Sequence, residues 1–178
     1  LTYQPTNGQG VPVGAQALYG SDSKGVNLAG AITPFENFKL QVVANYLDGH
    51  YSHNNSCFLF TDLVSGTSQC IGINGKQLQR QPKVRYMLTP SYRLPFSWGD
   101  VTYTHVGAHT QDQSGLQQLG SYNTWDFGIV ANVQQSWQIR LQGTNMTNEL
   151  GLTESNSRIF GSAAGTDGVI LARPLEGR

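Results

Sequence analysis

Charge is scarce in this chain. Only 12% of its 178 residues are charged, and 11 basic residues are balanced by 11 acidic ones. Disorder needs high charge with few aromatics, and nucleic-acid binding needs a basic excess, so the composition excludes both. Long apolar runs are also missing. The densest stretch is of the Leu40 to Ala44 kind, broken by Gln41, far short of the roughly 20 residues that a membrane helix requires. The chain starts at Leu1 without an initiator Met or a basic-then-apolar leader, which reads as an internal cut. Cysteine is limited to Cys57 and Cys70, both in a polar stretch rich in Asn, Ser, Thr and Gly. Loop cysteines at that spacing point to a disulfide and an oxidising compartment; two free cytosolic thiols are the alternative.

What the chain does hold is alternation. Apolar residues recur at every second position, with no helical face anywhere, so the architecture is expected to be all β. Strands are expected at about Ala15 to Thr33, Lys39 to Tyr51, Lys83 to Leu94, Asp100 to Thr110, Tyr122 to Val133 and Gln138 to Asn148. In the second, Leu40, Val42, Ala44 and Tyr46 oppose Lys39, Gln41 and Asn45, with Val43 as an exception. In the third, Val84, Tyr86, Leu88, Tyr92 and Leu94 oppose Arg85, Thr89, Ser91 and Arg93, with Met87 out of pattern. In the sixth, Ile139 and Leu141 oppose Gln138, Arg140 and Gln142. One greasy and one wet face suit a soluble sandwich, and equally a barrel with lipid outside and water inside.

The connections separate these readings. They alternate short and long: Pro34 to Phe38, Ser52 to Pro82, Pro95 to Gly99, Gln111 to Ser121, Gln134 to Trp137, then a tail from Glu149. A sandwich has no reason to alternate in this way, whereas a transmembrane barrel has tight periplasmic turns and long outer loops. Phe35, Phe38, Phe96, Trp98 and Trp137 gather at the short turns, and Tyr46, Tyr51, Tyr103, Tyr122 and Trp125 lie toward the other strand ends. That placement suggests two aromatic girdles at the lipid–water boundaries, ordinary strand composition being the alternative. Pro90 implies a bulge, an edge or a misplaced boundary, and Gly107 and Gly128 mark curvature or close backbone approach.

Chemical constellations are few. On a strand His105 and His109 stand about 13 Å apart and cannot share an ion. His50 and His53 flank the first long loop and read as solvated histidines. Asp112 beside His109 has the composition of an acid/base pair, but no companion nucleophile lies in a recognisable motif, so no enzyme is expected. Gly161 to Gly168 lacks a phosphate-loop ending and reads as loop, and the sequons at Asn54 and Asn145 read as chance matches. Arg80, Arg85, Arg93 and Arg140 either line a lumen that draws anionic ligands or are the ordinary content of a watery interior.

Several segments in series resemble one family. Gly25-Val26-Asn27-Leu28 before the Pro34 turn resembles the GVELE-type strand of TonB-dependent receptors, with Asn27 where the motif has its first acidic residue. Gly75-Lys76-Gln77-Leu78 through Arg80-Gln81-Pro82-Lys83 resembles their approach to the next descending strand. Ser121-Tyr122-Asn123-Thr124-Trp125-Asp126 and Gly143-Thr144-Asn145-Met146-Thr147-Asn148 are similar to two further family segments, and Ala172 to Arg178 to the run before the last strand.

The resemblance implies an antiparallel up-and-down transmembrane β-barrel segment of about six strands, with residues 1–178 forming the C-terminal portion of the barrel domain. The plug, the TonB box, the first strands and the last strand would lie outside this sequence. It further implies the outer membrane of a Gram-negative bacterium and TonB-dependent uptake of a siderophore, vitamin or oligosaccharide. The partners implied are lipid, the rest of the barrel with its plug, and the TonB complex; no cofactor, metal or nucleic acid is implied. Two alternatives stand beside this: a soluble β-sandwich binding carbohydrate, and a small outer-membrane enzyme or adhesin barrel. Six strands with two open edges cannot span a bilayer alone, because unsatisfied backbone groups in hydrocarbon cost several kcal/mol each.

Overall fold

A two-residue alternation becomes a surface only when neighbouring strands are held in register, because a slip of one residue moves every side chain to the other face. The computed structural model describes residues 2–3, 17–18, 20–53, 57–61, 67–133, 136–155 and 172–175. Six strands form its main sheet: β1 (Gly20–Ile32), β2 (Phe38–Ser52), β3 (Val84–Arg93), β4 (Ser97–Val106), β5 (Tyr122–Val133) and β6 (Trp137–Gly143). Each pairs antiparallel with its sequence neighbours, so the sheet is an unbroken meander from β1 to β6. In sequence the connections from β1 to β2, β3 to β4 and β5 to β6 are short and join strand ends on one side of the sheet, and those from β2 to β3 and β4 to β5 are long and join strand ends on the other.

The register carries the pattern across the strands. Val26 faces Tyr46, which faces Val84; Leu28 faces Ala44, then Tyr86; Val42 faces Leu88, then Tyr103, then Trp125; Ile129 faces Leu141. These residues share one face, and its apolar side chains are uncovered: Val26 is 68% exposed, Ile139 59% and Leu141 57%. The opposite face carries Asn27, Gln41, Asn45, Arg85, Thr89, Thr102, Asp126, Arg140 and Gln142. The two residues that break the sequence pattern, Val43 and Met87, are direct cross-strand partners on the polar face. Among the described residues every other sheet has two strands, so nothing of sheet size covers the apolar face. The soluble sandwich needs that covering sheet.

Pro90 departs from expectation. It sits in a central strand, opposite Leu40 on β2, and the β3–β4 register is the same before and after it. The ladder toward β4 runs Leu88 with Tyr103 and then Ser91 with Asp100, passing over Thr89 and Pro90. Loss of a single amide donor at Pro90 removes both bridges, since the neighbouring non-bonded pair is defined by the same hydrogen bond. The Thr89 and Thr102 hydroxyls, 3.1 Å apart, bond across the gap.

Three strand ends are also corrected. Ala17–Leu18 pairs with Thr2–Tyr3 in a separate sheet rather than extending β1. Beta-four ends at Val106, although the Gly107 amide still donates to the Val84 carbonyl at 2.9 Å in the register of the β3–β4 ladder; His109–Thr110 then pairs with Gln118–Leu119. A Cβ at Gly107 would lie 2.9 Å from that same carbonyl oxygen, which is the close approach expected of this residue. Beta-six ends at Gly143, since Asn145 and Asn148 take left-handed φ values of 47° and 52° that no strand accommodates.

A charge placed on the apolar face should therefore cost more than the same charge one residue away. With the protein refolded into lipid vesicles, Leu141→Arg should destabilise by about 2–4 kcal/mol if the apolar face meets bilayer. Gln142→Arg should lie within about 1 kcal/mol of the parent in the same denaturant titration. Equal losses would contradict the assigned faces.

Candidate functional site

Two surfaces have the makings of a recognition site: the polar face of the sheet and the cap formed by the long loops. Beta-two is longer than β3, so its final residues need other partners. Tyr51 N donates to Lys76 O at 2.9 Å, Gly75 N to Tyr51 O at 2.8 Å and Leu78 N to Gly49 O at 2.9 Å. The return limb of the first loop thus continues the ladder where β3 has not yet begun. Tyr51, Ile73 and Leu78 close a small buried cluster there.

The second loop locks onto this limb. Arg80 N donates to Thr110 O at 2.7 Å, and the Thr110 hydroxyl donates to Leu78 O at 3.4 Å. Within the loop, Asp112 is 1% exposed and organises its neighbours. Its Oδ1 accepts from Gln117 N at 2.9 Å, and its Oδ2 accepts from the Ser114 hydroxyl. Asp112 is thereby engaged in holding the loop, while His109 Nδ1 lies 3.3 Å from Gly107 O. The acid/base composition noted in the sequence is loop architecture.

A second lock joins two of the motif segments. Asn145 N donates to Asp126 Oδ1 at 2.8 Å, and Met146 N to Trp125 O at 2.8 Å. The Asn145 side chain exchanges both hydrogen bonds with Glu149, donating to its carbonyl at 3.0 Å and accepting from its amide at 2.9 Å. Sequence reasoning did not find this joint; an Asn that tolerates positive φ after an apparent strand is the signal for it.

The aromatic rows are partly as expected. Toward the loops, Tyr86, Tyr103 and Trp125 form a continuous row on the apolar face, with centroids 5.9 Å and 4.8 Å apart. His105 stacks on Tyr86 at 4.9 Å, and Asn123 Oδ1 accepts from the Tyr103 hydroxyl at 2.8 Å. Toward the turns, Phe38 and Trp137 occupy the same face, with Phe35 stacked on Phe38 at 4.7 Å. Tyr51, Tyr122 and Trp98 do not belong to the girdles. Register places all three on the polar face, and Tyr51 is buried under the loop cap.

From Phe38 to Tyr46 the apolar face runs about 27 Å along β2 at the usual rise. A tilt of about 40° brings this to about 20 Å of height, near the roughly 25 Å band of a membrane barrel. Asp48 and His50 stand beyond Tyr46, on the loop side of that band. Lys83 Nζ lies 2.6 Å from Asp48 Oδ1, and His50 Nε2 lies 3.6 Å from the same oxygen. The hydrogen bond from Lys83 holds the Asp48 carboxyl below its ordinary pKa and raises that of Lys83 in return.

The four arginines are spread over three places. Arg85, Arg93 and Arg140 are on the polar face, and Arg80 is in the first-loop limb above it. Arg93 lines a groove of about 590 Å³ near the turns with Lys39 and Trp98. Arg140 lines one of about 270 Å³ with Asp100 and Asp126. Arg80 and Arg85 share a third, of about 620 Å³, beneath the loops. Among the described residues no group of three or more His, Cys, Asp or Glu could hold a metal ion.

Cys57 and Cys70 fall in the first loop's hairpin, Cys57–Thr61 with Ser68–Gly72. The Cys57 side chain lies outside the described residues, as do the Asn54 sequon and the Gly161 to Gly168 stretch.

The TonB dependent receptor-like, beta-barrel family model matches residues 1–146. The chain belongs to this family. TonB-dependent receptor barrels are outer-membrane proteins of Gram-negative bacteria, so the apolar face meets lipid, the short turns are periplasmic and the long loops extracellular. The family is one of receptors and transporters. Two solved structures of similar fold are the siderophore receptor PiuA from Acinetobacter baumannii and the ferric yersiniabactin uptake receptor FyuA from Yersinia pestis. The first has a TM-score of 0.71 at 18% identity, over 99% of this chain and 22% of that one. The second has a TM-score of 0.66 at 14% identity, over 87% of this chain and 22% of that one. The chain thus spans about a fifth of the length of these receptors. No curated protein matches it.

Asp112→Ala should loosen the cap of this receptor barrel without unfolding the sheet. It leaves Gln117 N and the Ser114 hydroxyl without their buried acceptor, a loss of about 1–3 kcal/mol. Hydrogen exchange on the protein should show faster exchange confined to about 107–121 and the facing limb at 73–83. Unchanged protection there would show that Asp112 does not hold the loop.

Proposed function

We propose that this segment is the C-terminal part of the barrel wall of a larger receptor, one that takes up a scarce nutrient by TonB-dependent transport. The observation that carries this reading is the register-fixed division of one meander into an apolar and a polar side, capped at the loop end. Both outer strands, β1 and β6, have one partner each among the described residues. Open edges in hydrocarbon are too costly to persist, which supports further strands completing the wall. A plug and a TonB-contacting segment belong to that larger chain.

Of siderophore, vitamin and oligosaccharide, the siderophore class is favoured. Two receptors of similar fold are described as siderophore and ferric yersiniabactin receptors, and the lumen-facing side carries more basic than acidic groups. Deleting the receptor should abolish uptake of its iron chelate under iron limitation and leave vitamin and oligosaccharide uptake unchanged. Loss of vitamin or oligosaccharide uptake instead would overturn the siderophore assignment, and no uptake phenotype at all would overturn the transport role.

The loop disulfide belongs to the same reading. Cys57 pairs with Gly72 and Cys70 with Leu59, so the two cysteines occupy diagonal register positions of the hairpin. A Cys57–Cys70 bond would close a short loop and stabilise it by about 3 kcal/mol in the chain-entropy model. Non-reducing peptide mapping of the membrane-extracted receptor should recover the two cysteines in one linked pair; alkylation of both before reduction would refute the bond.

A further inference from the structure

The groove beneath the loops differs from the other two in where its charges go. Asn27, Asn45 and Arg85 stand in one register row across β1, β2 and β3, on the lumen-facing side. Ala29, Val43 and Met87, in the row next to it, form an apolar floor. Arg80 and Gln81 overhang the groove from the first-loop limb. Within the row, Asn45 Nδ2 donates to Asn27 Oδ1, which leaves the Asn27 amide hydrogens to serve a further acceptor.

Among the described residues neither Arg80 nor Arg85 has a carboxylate partner. Asp48, at the same end of the sheet, leaves from the lipid-facing side and is engaged by Lys83. Arg80 also holds an uncommon backbone conformation, φ 60°, for a residue that is neither Gly nor Asn. It is kept there by its amide bond to Thr110 O at 2.7 Å and by the Gln77 Nε2 bond to Gln81 O at 2.8 Å. Both loops therefore set the position from which this guanidinium projects.

We infer that this groove is a subsite for a small organic anion, with carboxylate-like oxygens held by Arg80, Arg85 and Asn27 and an apolar body resting on Ala29, Val43 and Met87. This rests on the receptor reading and adds a chemical class and named residues to it. Guanidinium forks suit planar anionic oxygens, and the apolar floor favours a ligand with a carbon skeleton over a bare inorganic ion. Arg93 and Arg140 line separate grooves and take no part.

The test uses the full-length receptor in detergent, with benzoate as probe and benzyl alcohol, acetate and inorganic phosphate as comparisons, followed by ligand-observed NMR. Benzoate should bind saturably and more tightly than acetate or phosphate. Arg80→Gln and Arg85→Gln should each weaken benzoate by about tenfold or more, as expected for loss of a charged hydrogen bond, and leave benzyl alcohol unchanged. Arg80→Lys and Arg85→Lys, checked for heat-modifiable migration, guard against misfolding and should recover part of the affinity. Equal binding of acetate, or benzoate binding indifferent to both substitutions, overturns the subsite. So does an absence of benzoate binding, whether or not the Gln variants lower Tm; a lowered Tm would assign the arginines to the receptor's own interior segment. Chelate uptake is scored separately, so the receptor reading and the subsite fail independently.

Discussion

Hydrocarbon offers backbone amides and carbonyls no partner, so a chain that crosses it must satisfy them along its own strands. The β1 to β6 meander is the consequence, and the positions of its side chains follow from it. With the register held, a two-residue period yields one face of Val, Leu, Ile and aromatic residues and one of Asn, Gln, Thr and Arg. Pro90 shows how strong that constraint is. A residue that cannot donate sits in a central strand, and the ladder resumes on the far side of it in the same register, with a threonine pair across the gap.

At the loop end the same need is met differently. Beta-two outlasts β3, and the first loop returns to pair with its last residues before the second loop ties down that limb. The buried groups here are largely polar, Gln111, Asp112, Ser114 and Gln117 among them, as suits a cap that stands in water rather than a core that excludes it. Recognition surfaces built on such loops inherit rigidity from their hydrogen bonds, which is what an overhanging Arg80 requires.

Much of this was legible in the residues. Alternation in Leu40 to Tyr46, Val84 to Leu94 and Gln138 to Gln142 assigns faces without any knowledge of pairing, and the short and long links assign the ends. What escaped were effects that need a second strand to be seen. Val43 and Met87 look like separate errors until the register makes them partners. Tyr51 and Tyr122 lie on strands that also carry girdle residues, and Trp98 lies at the turn end near theirs, but all three differ in parity, which location along the chain does not reveal. The four arginines read as one set, whereas distance along the wall divides them into three grooves. The Asp126–Asn145 lock joins segments on different strands, so neither segment announces it alone.

The most direct test of the two-faced wall is a spin-label scan along residues 38–46 of the full-length receptor in vesicles, read by collision with oxygen and with a water-soluble nickel complex. Labels at 38, 40, 42, 44 and 46 should collide with oxygen, those in between should not, and the period should be two throughout. Labels at the even positions shielded from both reagents would place a dry protein interior against that face and contradict the account.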